Sequence, residues 1–441
     1  MALGGGAWLA QNKVLPGSYI NFSSAAKASA TLSDRGVAAA PFVLSWGPEN
    51  KIFAVTSGEF QKNSKILFGY SYDHPKMLAL REIFRHATTV YCYRLGSGAS
   101  KATNAYASAK YPGVRGNDIS IVISANVDDA GAWDVSTYLD GAKEETQTVA
   151  TAAELRGNDY VDFKAGVTLV ATAGTPLTGG ADAESITGDS HQAFLDEIES
   201  YAFNTLCCPA ADTTIVKLYA AYTERMRDEV GAKFQLVAWK PSTVDYEGVI
   251  GVWNEATHPT IADVDAHAVV YWATGAHASV AVNKSLTNAK YDGELLLDTD
   301  LTQAELTAAI KAGKFVFHNV NGSVRVLEDI NTLLTPSETK GEAFQSNQTI
   351  RICDQVANDI AALFDARYLG IVPNDASGRV ALWNDICKVY QALESIRAIE
   401  NFDPDTVTIE QGDSKKSVIC TVKGLSVINA MEQLYMSVVI V

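Results

Sequence analysis

Two things are scarce in this 441-residue chain: positive charge and motifs that carry chemistry. Lys and Arg number 35 against 51 Asp and Glu, a formal net charge of −16. A nucleic-acid binder usually shows a clustered basic footprint, and docking on anionic lipid needs a polybasic patch, so the balance argues against both. No apolar run reaches the roughly 18 residues that a membrane-crossing helix needs. The N-terminus, Met1-Ala2-Leu3-Gly4-Gly5-Gly6, has neither a charged leader nor a continuous apolar stretch, so no signal peptide is expected. Synthesis in the cytosol follows, with release by lysis or another route that needs no signal. Cysteine is sparse: Cys92, Cys207, Cys208, Cys353, Cys387 and Cys420 are scattered and form no C-x-x-C pair, so they read as reduced thiols and not as a zinc site.

Catalytic and metal signatures are missing as well. There is no HExxH and no GxSxG, and Gly313-Lys314 lacks both the upstream Gly and the following Ser or Thr of a phosphate loop. Asp298-Thr299-Asp300 opens like a calcium loop, but Gln303 stands where the Gly is required and Ala309 where the closing Glu belongs. In Asp263-Val264-Asp265-Ala266-His267, residues two apart do not share a helix face, so the cluster reads as an acidic, solvated helix start. His267 and His277 lie ten positions apart, too far to share one metal unaided. Asp128-Asp129 and Asp403-Pro404-Asp405 read as turns. The expectation is no enzyme, no cofactor and no metal.

What is present is an ordinary globular composition, 47% hydrophobic and 20% charged, long enough for two to four domains at about 100–200 residues each. Residues 1–27 read as an arm, with Tyr19, Ile20 and Phe22 in a short strand after the Pro16-Gly17 turn signal. Residues 28–96 and 190–335 alternate strand and helix patterns, which implies a mostly parallel sheet with helices on its faces. Thr302 with Glu305 predicts a capped helix start in the second of these segments. Between them, 97–189 is rich in Gly, Thr, Ala and Val. Its short β runs (Ile119–Ser124, Trp133–Leu139, Val167–Ala171) predict a β-sandwich-like insertion. Residues 336–441 form an α+β segment: helices marked by Ile350 to Leu363 and by Leu382 to Ile396, strands at Thr406–Glu410 and Ser417–Val422, and a last arm from about 430.

That last arm is the most informative stretch. Leu434-Tyr435-Met436-Ser437-Val438-Val439-Ile440-Val441 is uncharged, aromatic and β-branched. Left exposed it is an aggregation-prone edge, so it needs a partner strand. Two partners are open: the sheet of its own domain, or the sheet of a neighbouring copy. Burying four of these side chains is worth about 6–12 kcal/mol, at about 1.5–3 each. Association costs about 4–15 kcal/mol, so one donated strand roughly breaks even, and two arms per chain together with lateral contacts make a stable lattice.

Three groups of residues add a resemblance. The first is Leu15-Pro16-Gly17-Ser18-Tyr19-Ile20-Asn21-Phe22 with Asp34-Arg35-Gly36-Val37 and Val43-Leu44-Ser45-Trp46-Gly47-Pro48. The second is Asn283-Lys284-Ser285-Leu286-Thr287 after an Ala/Gly-rich helix. The third runs from Val324-Arg325-Val326-Leu327-Glu328-Asp329-Ile330-Asn331 through Arg351, Asn374 and Gly378-Arg379 to Leu434-Tyr435-Met436-Ser437-Val438. In this order the chain resembles the contractile tail sheath proteins of myophage tails and of phage-tail-like bacteriocins from Gram-positive bacteria. The resemblance implies an α/β multidomain fold: a sheath core, an inserted β-sandwich-like domain that faces outward, and an α+β C-terminal domain with strand-donating arms. It implies a structural subunit made in the host cytoplasm that forms helical rings around an inner tail tube, together with baseplate and tail terminator proteins. It further implies that Tyr19, Ile20, Phe22, Leu434, Tyr435, Met436, Val438, Val439, Ile440 and Val441 pair with neighbouring copies. A monomeric adhesion module, or an α/β enzyme with an inserted β domain, are the alternatives.

Overall fold

The computed structural model describes residues 32–440, so the arm with Tyr19, Ile20 and Phe22, and Val441 itself, lie outside the described residues. The chain enters through β1 (Val37–Phe42), VAAAPF, buried from Ala38 to Phe42. A strand buried on both faces reads as such a continuous apolar run. After β2 (Phe53–Thr56), Thr56 accepts from the Glu59 amide and Glu59 from the Thr56 amide, a capping box that starts α1 (Ser57–Phe68). Gly69, at φ 78°, ends it. A short α2 (Leu78–Ile83) and β3 (Thr89–Arg94) follow.

Here the insertion begins. Its β4 (Ala107–Ala109), β5 (Ile119–Ala125), β6 (Trp133–Leu139), β7 (Ala142–Val149), β8 (Val161–Phe163) and β9 (Thr172–Pro176) form a four-stranded antiparallel sheet, β7-β6-β5-β9, and a separate β4-β8 pair. Ile119, Ile121, Ile123, Val135 and Leu139 supply its core, the every-second-residue pattern of a sheet with one buried face. The run Val167–Ala171 is not a strand; pairing starts at Thr172. The polar sequence of β7, AKEETQTV, marks an edge strand whose partner lies on one side only.

The chain returns through α3 (Gly188–Ile198), β10 (Thr205–Cys207), α4 (Thr213–Arg225), β11 (Gln235–Trp239) and β12 (Val249–Val252). One sheet results, in the order β12-β11-β10-β1-β3-β2, parallel except for β2. Ala38, Ala40 and Phe42 of β1 face one core, shared with α5 (Val269–Ser279); Ala39 faces the other, with Phe194 and Tyr219 of α3 and α4. A Cβ on Gly275 of α5 would stand 2.2 Å from the Ile83 carbonyl oxygen, so only glycine lets α5 lie this close to α2. The acidic cluster before α5 corrects its sequence reading. Asp263 has φ 57°, outside the right-handed helical region, and the helix starts only at Val269.

Two-residue strands β13 (Ala256–Thr257) and β14 (Leu296–Leu297) pair with each other. Next come α6 (Gln303–Lys311), opened by the expected Thr302–Glu305 capping box, and the hairpin β15 (Phe317–Val320) and β16 (Ser323–Val326). Then α7 (Asn347–Arg367), α8 (Ala376–Ser395), β17 (Ile399–Glu400), β18 (Val407–Gln411) and β19 (Val418–Val422) follow. The described residues divide into two compact units, and the division falls inside α7. One unit holds Leu32, Ser33 and Val356–Ser426; the other holds Asp34–Gln355 and the tail from Val427.

Candidate assembly interface

In the smaller unit β18 and β19 pair only with each other, Val407 opposite Val422 through Gln411 opposite Val418. Each strand therefore keeps one edge unpaired among the described residues. The hairpin is fixed from beneath. Trp383 of α8 donates its indole N–H to the Val407 carbonyl at 2.9 Å, and Val407 is buried. Asn374 Nδ2 donates to the Lys415 and Ser417 carbonyls in the hairpin turn at 3.1 and 2.9 Å. Arg379 in turn donates to Asn374 Oδ1 at 2.9 Å. A Cβ on Gly378 would meet the Pro373 carbonyl oxygen at 2.1 Å, so this tight turn requires glycine. Asn374 and Arg379, singled out in the sequence, thus hold the hairpin turn, and Gly378 permits the tight connection into α8 that places them. Ile419 on β19 is 54% exposed, and Lys415, Lys416 and Lys423 flank that strand; lysines at such ends keep an open edge from pairing indiscriminately.

The apolar tail belongs to the other unit. Leu434 to Ile440 form no strand among the described residues, and Leu434, Tyr435, Met436, Val438, Val439 and Ile440 are 71–91% exposed. Among the described residues no sheet edge pairs with them.

The remaining stretches of the resemblance, residues 43–48 apart, meet at a buried charge cluster. Asp329, 2% exposed, accepts from Arg351 at 2.6 Å and from the Leu286 amide at 2.9 Å on Oδ2, and from Asn347 Nδ2 at 3.0 Å on Oδ1. Arg351 also donates to the Lys284 carbonyl at 2.8 Å. Arg35 donates to the Val280 and His277 carbonyls at 3.1 and 2.9 Å. Burial, and repulsion from Arg351, lower its pKa to about 10. Asp34-Arg35-Gly36, the Asn283–Thr287 turn, Leu327–Asn331 and Arg351 are therefore one structural joint, which ties the start of α7 to the core.

His277, fully buried beside this pair, lies in the core. Burial pushes its pKa down to about 3, with Asp329 opposing and Arg351 and Arg35 reinforcing the shift. Burial would raise Asp329, but the Arg351 charge and the hydrogen bonds prevail and hold it down to about 2. Both groups make acid destabilising. Below its ordinary value of 6.5, His277 takes up a proton in the unfolded chain and refuses it in the folded one. Stability therefore falls by ~1.4 kcal/mol per pH unit from about 6.5 toward 3. The Asp329 contribution is complete above its ordinary 3.8 and is lost as pH falls through about 2. Melting curves of the native chain and of His277→Gln between pH 6.5 and 4.5 should show a distinctly shallower loss in the variant; parallel losses would rule His277 out as the cause.

The residues weighed for chemistry fall apart. His267 Nε2 bonds the Pro209 carbonyl at 2.8 Å, whereas His277 lies beside Asp329 and Arg351. Asp298 accepts from the Asp300 amide in a turn, and Asp403 from the Asp405 amide. The carboxyl ends of β1, β3 and β10 border a crevice of about 370 Å³ walled by Phe42, Leu44, Leu95, Pro209 and Tyr271. Its His191 bonds the Tyr219 hydroxyl at 2.9 Å.

The fold is thus a multidomain mixed α/β structure. Family models match along nearly its whole length: the Gp18 domain III N-terminal region of tail sheath protein over residues 35–95, the beta-sandwich domain of phage tail sheath protein over 96–182, its central domain over 184–332, and the phage tail sheath C-terminal domain over 339–441. Phage-like element PBSX protein XkdK of Bacillus subtilis is 32% identical, with 99% of each chain covered. The crystal structure of a sheath tail protein from Desulfitobacterium hafniense is 35% identical, with a TM-score of 0.77, 90% of this chain covered and 93% of that one. The sheath tail protein of Listeria innocua is 31% identical, with a TM-score of 0.80 and coverage of 92% and 94%. The chain belongs to the contractile tail sheath protein family. It is a sheath subunit, and the family is one of structural proteins and not of enzymes.

Proposed function

We propose that this subunit polymerises with its own copies into helical rings around an inner tail tube, joined by exchanged strands. The C-terminal residues Leu434, Tyr435, Met436, Val438, Val439, Ile440 and Val441 of one copy, and the N-terminal Tyr19, Ile20 and Phe22 of another, add to the two edges of a third copy's β18–β19 hairpin. Main-chain hydrogen bonds supply affinity and alternate side chains supply register. One observation supports the reading: among the described residues the same chain offers a two-strand hairpin with both edges unpaired and an uncharged tail that pairs with no strand.

Contraction is then a rigid-body rearrangement of nearly unchanged subunits that stay tethered by their arms. The driving energy is stored in the extended lattice at assembly, so no nucleotide is required. The partners are further copies, the tube, the baseplate and a tail terminator. The protein is made in a bacterial cytoplasm and works in a virion tail or tail-like particle released by lysis. The domain limits follow the sequence reading, with the 97–189 insertion facing outward. Negative-stain microscopy and native mass of the purified chain test this directly: tubes or rings are expected, and a monomer persisting at high concentration would overturn it.

A further inference from the structure

Hydrogen bonds hold the root of the tail at Ile428, Ala430 and Glu432, although Met431 between them already stands wholly in solvent. The holding group is Gln348, in the first turn of α7 and 3% exposed. Its Nε2 donates to the Ile428 carbonyl at 3.1 Å, and its Oε1 accepts from the Ala430 amide at 3.0 Å. One carboxamide thus serves a carbonyl and the amide two residues on, as a neighbouring strand would, and keeps this stretch extended. Thr349, also 3% exposed, donates to Asn429 Oδ1 at 3.3 Å. Thr287 Oγ1 donates to Glu432 Oε1 at 2.7 Å while accepting from the Asp329 amide at 3.0 Å. The last bond ties the tail's root to the buried joint. Beyond it, Leu434 is 85% and Tyr435 87% exposed.

Resting on the strand-exchange reading above, we propose that Gln348, supported by Thr349 and Thr287, is a positioning residue for tail donation: it sets the point and direction from which residues 433–441 leave the molecule. From a root fixed at Glu432, nine residues reach about 30 Å at ~3.3 Å each. With residues 428–432 released, about 16 Å of slack is added. Slack matters in two ways. A longer flexible tether spreads the tail over more volume and lowers its effective concentration at the acceptor edge. It also relaxes register, and a slip of one residue turns every side chain of the strand to the opposite face. A subunit that must stay joined to its neighbours through a large rearrangement needs a root that does not creep.

The test uses the full-length protein, its deletion of residues 433–441, Gln348→Ala and Gln348→Glu. Hydrogen exchange at the Ala430 amide, melting temperature, the concentration at which polymer forms and the order of the tubes are measured on each. Gln348→Ala is expected to melt like the native chain, exchange Ala430 at least tenfold faster, need about tenfold more protein to assemble and give tubes of irregular diameter. Gln348→Glu keeps the acceptor for Ala430 but loses the donor to Ile428, and should fall between; it decides the matter if the alanine variant fails to fold. If the deletion abolishes assembly while the Gln348 variants assemble at the native concentration into ordered tubes, the positioning role is wrong and strand exchange stands. If the deletion itself assembles normally, strand exchange is wrong and the positioning role goes with it.

Discussion

A chain lacking residues 434–441 is expected to melt within about 2 °C of the intact protein and to form neither tubes nor rings. The two halves of this result have separate causes. Leu434, Tyr435, Met436, Val438, Val439 and Ile440 are 71–91% exposed in the single chain, so they contribute almost nothing to its core. Removing exposed residues away from any cap or buried contact changes stability by about 0.5 kcal/mol or less, a shift of one or two degrees in a chain of this size. In the polymer the same residues are a strand. With one face buried, about four side chains leave water, worth about 6–12 kcal/mol, to which backbone bonds add about 0.5–1.5 kcal/mol each. Set against an association cost of about 4–15 kcal/mol, that gain decides whether a subunit stays bound. Thermal melting and sedimentation on one preparation read both halves. Normal polymer from the shortened chain would remove the tail from the interface; a large loss of melting temperature would show that it packs on its own molecule.

Asp329→Ala is expected to cost about 3–5 kcal/mol, a large share of the roughly 5–15 kcal/mol that keeps a protein folded. The substitution leaves the Arg351 guanidinium, 1% exposed, without its carboxylate, strips the Leu286 amide of its side-chain acceptor and removes one of the two acceptors of Asn347 Nδ2. A buried charge pair broken on one side is far worse than one replaced on both. The double variant Asp329→Leu with Arg351→Met should therefore recover part of the loss. At about 2–4 °C per kcal/mol the single change should lower the melting temperature by roughly 6–20 °C, read by calorimetry. A single variant within 1 kcal/mol of native, or a double variant worse than the single, would show that the joint does not hold the start of α7.

Part of the fold is legible in the residues alone. The strands at 407–411 and 418–422, helices α7 and α8 and the capping box at Thr302 carry local signals: alternation, 3.6-residue spacing, and a hydroxyl three residues ahead of a carboxylate. Helix α1 has no counterpart among the sequence expectations, because its buried positions, Phe60, Ser64 and Phe68, include a serine whose hydroxyl bonds the Tyr70 carbonyl. Strand β7 escapes them too, because an edge strand exposed on both faces has no apolar alternation to show. The run Val167–Ala171 has the right composition and finds no partner, since pairing is a property of two segments.

The tail is where the two levels separate most clearly. An uncharged, β-branched and aromatic octapeptide by itself dictates that Leu434–Val441 needs a partner strand, because burial and edge pairing are the only favourable outcomes for that composition. It does not say whose strand. Nor does it say that Asp34-Arg35-Gly36, Asn283–Thr287, Leu327–Asn331 and Arg351 form one joint, that Asn374 and Arg379 hold the hairpin turn, or that Gln348 grips Ile428 and Ala430. Those pairings join residues tens to hundreds of positions apart, and hydrogen bonds and buried charges act over a few ångströms of space. Only the folded chain decides which groups come within that distance.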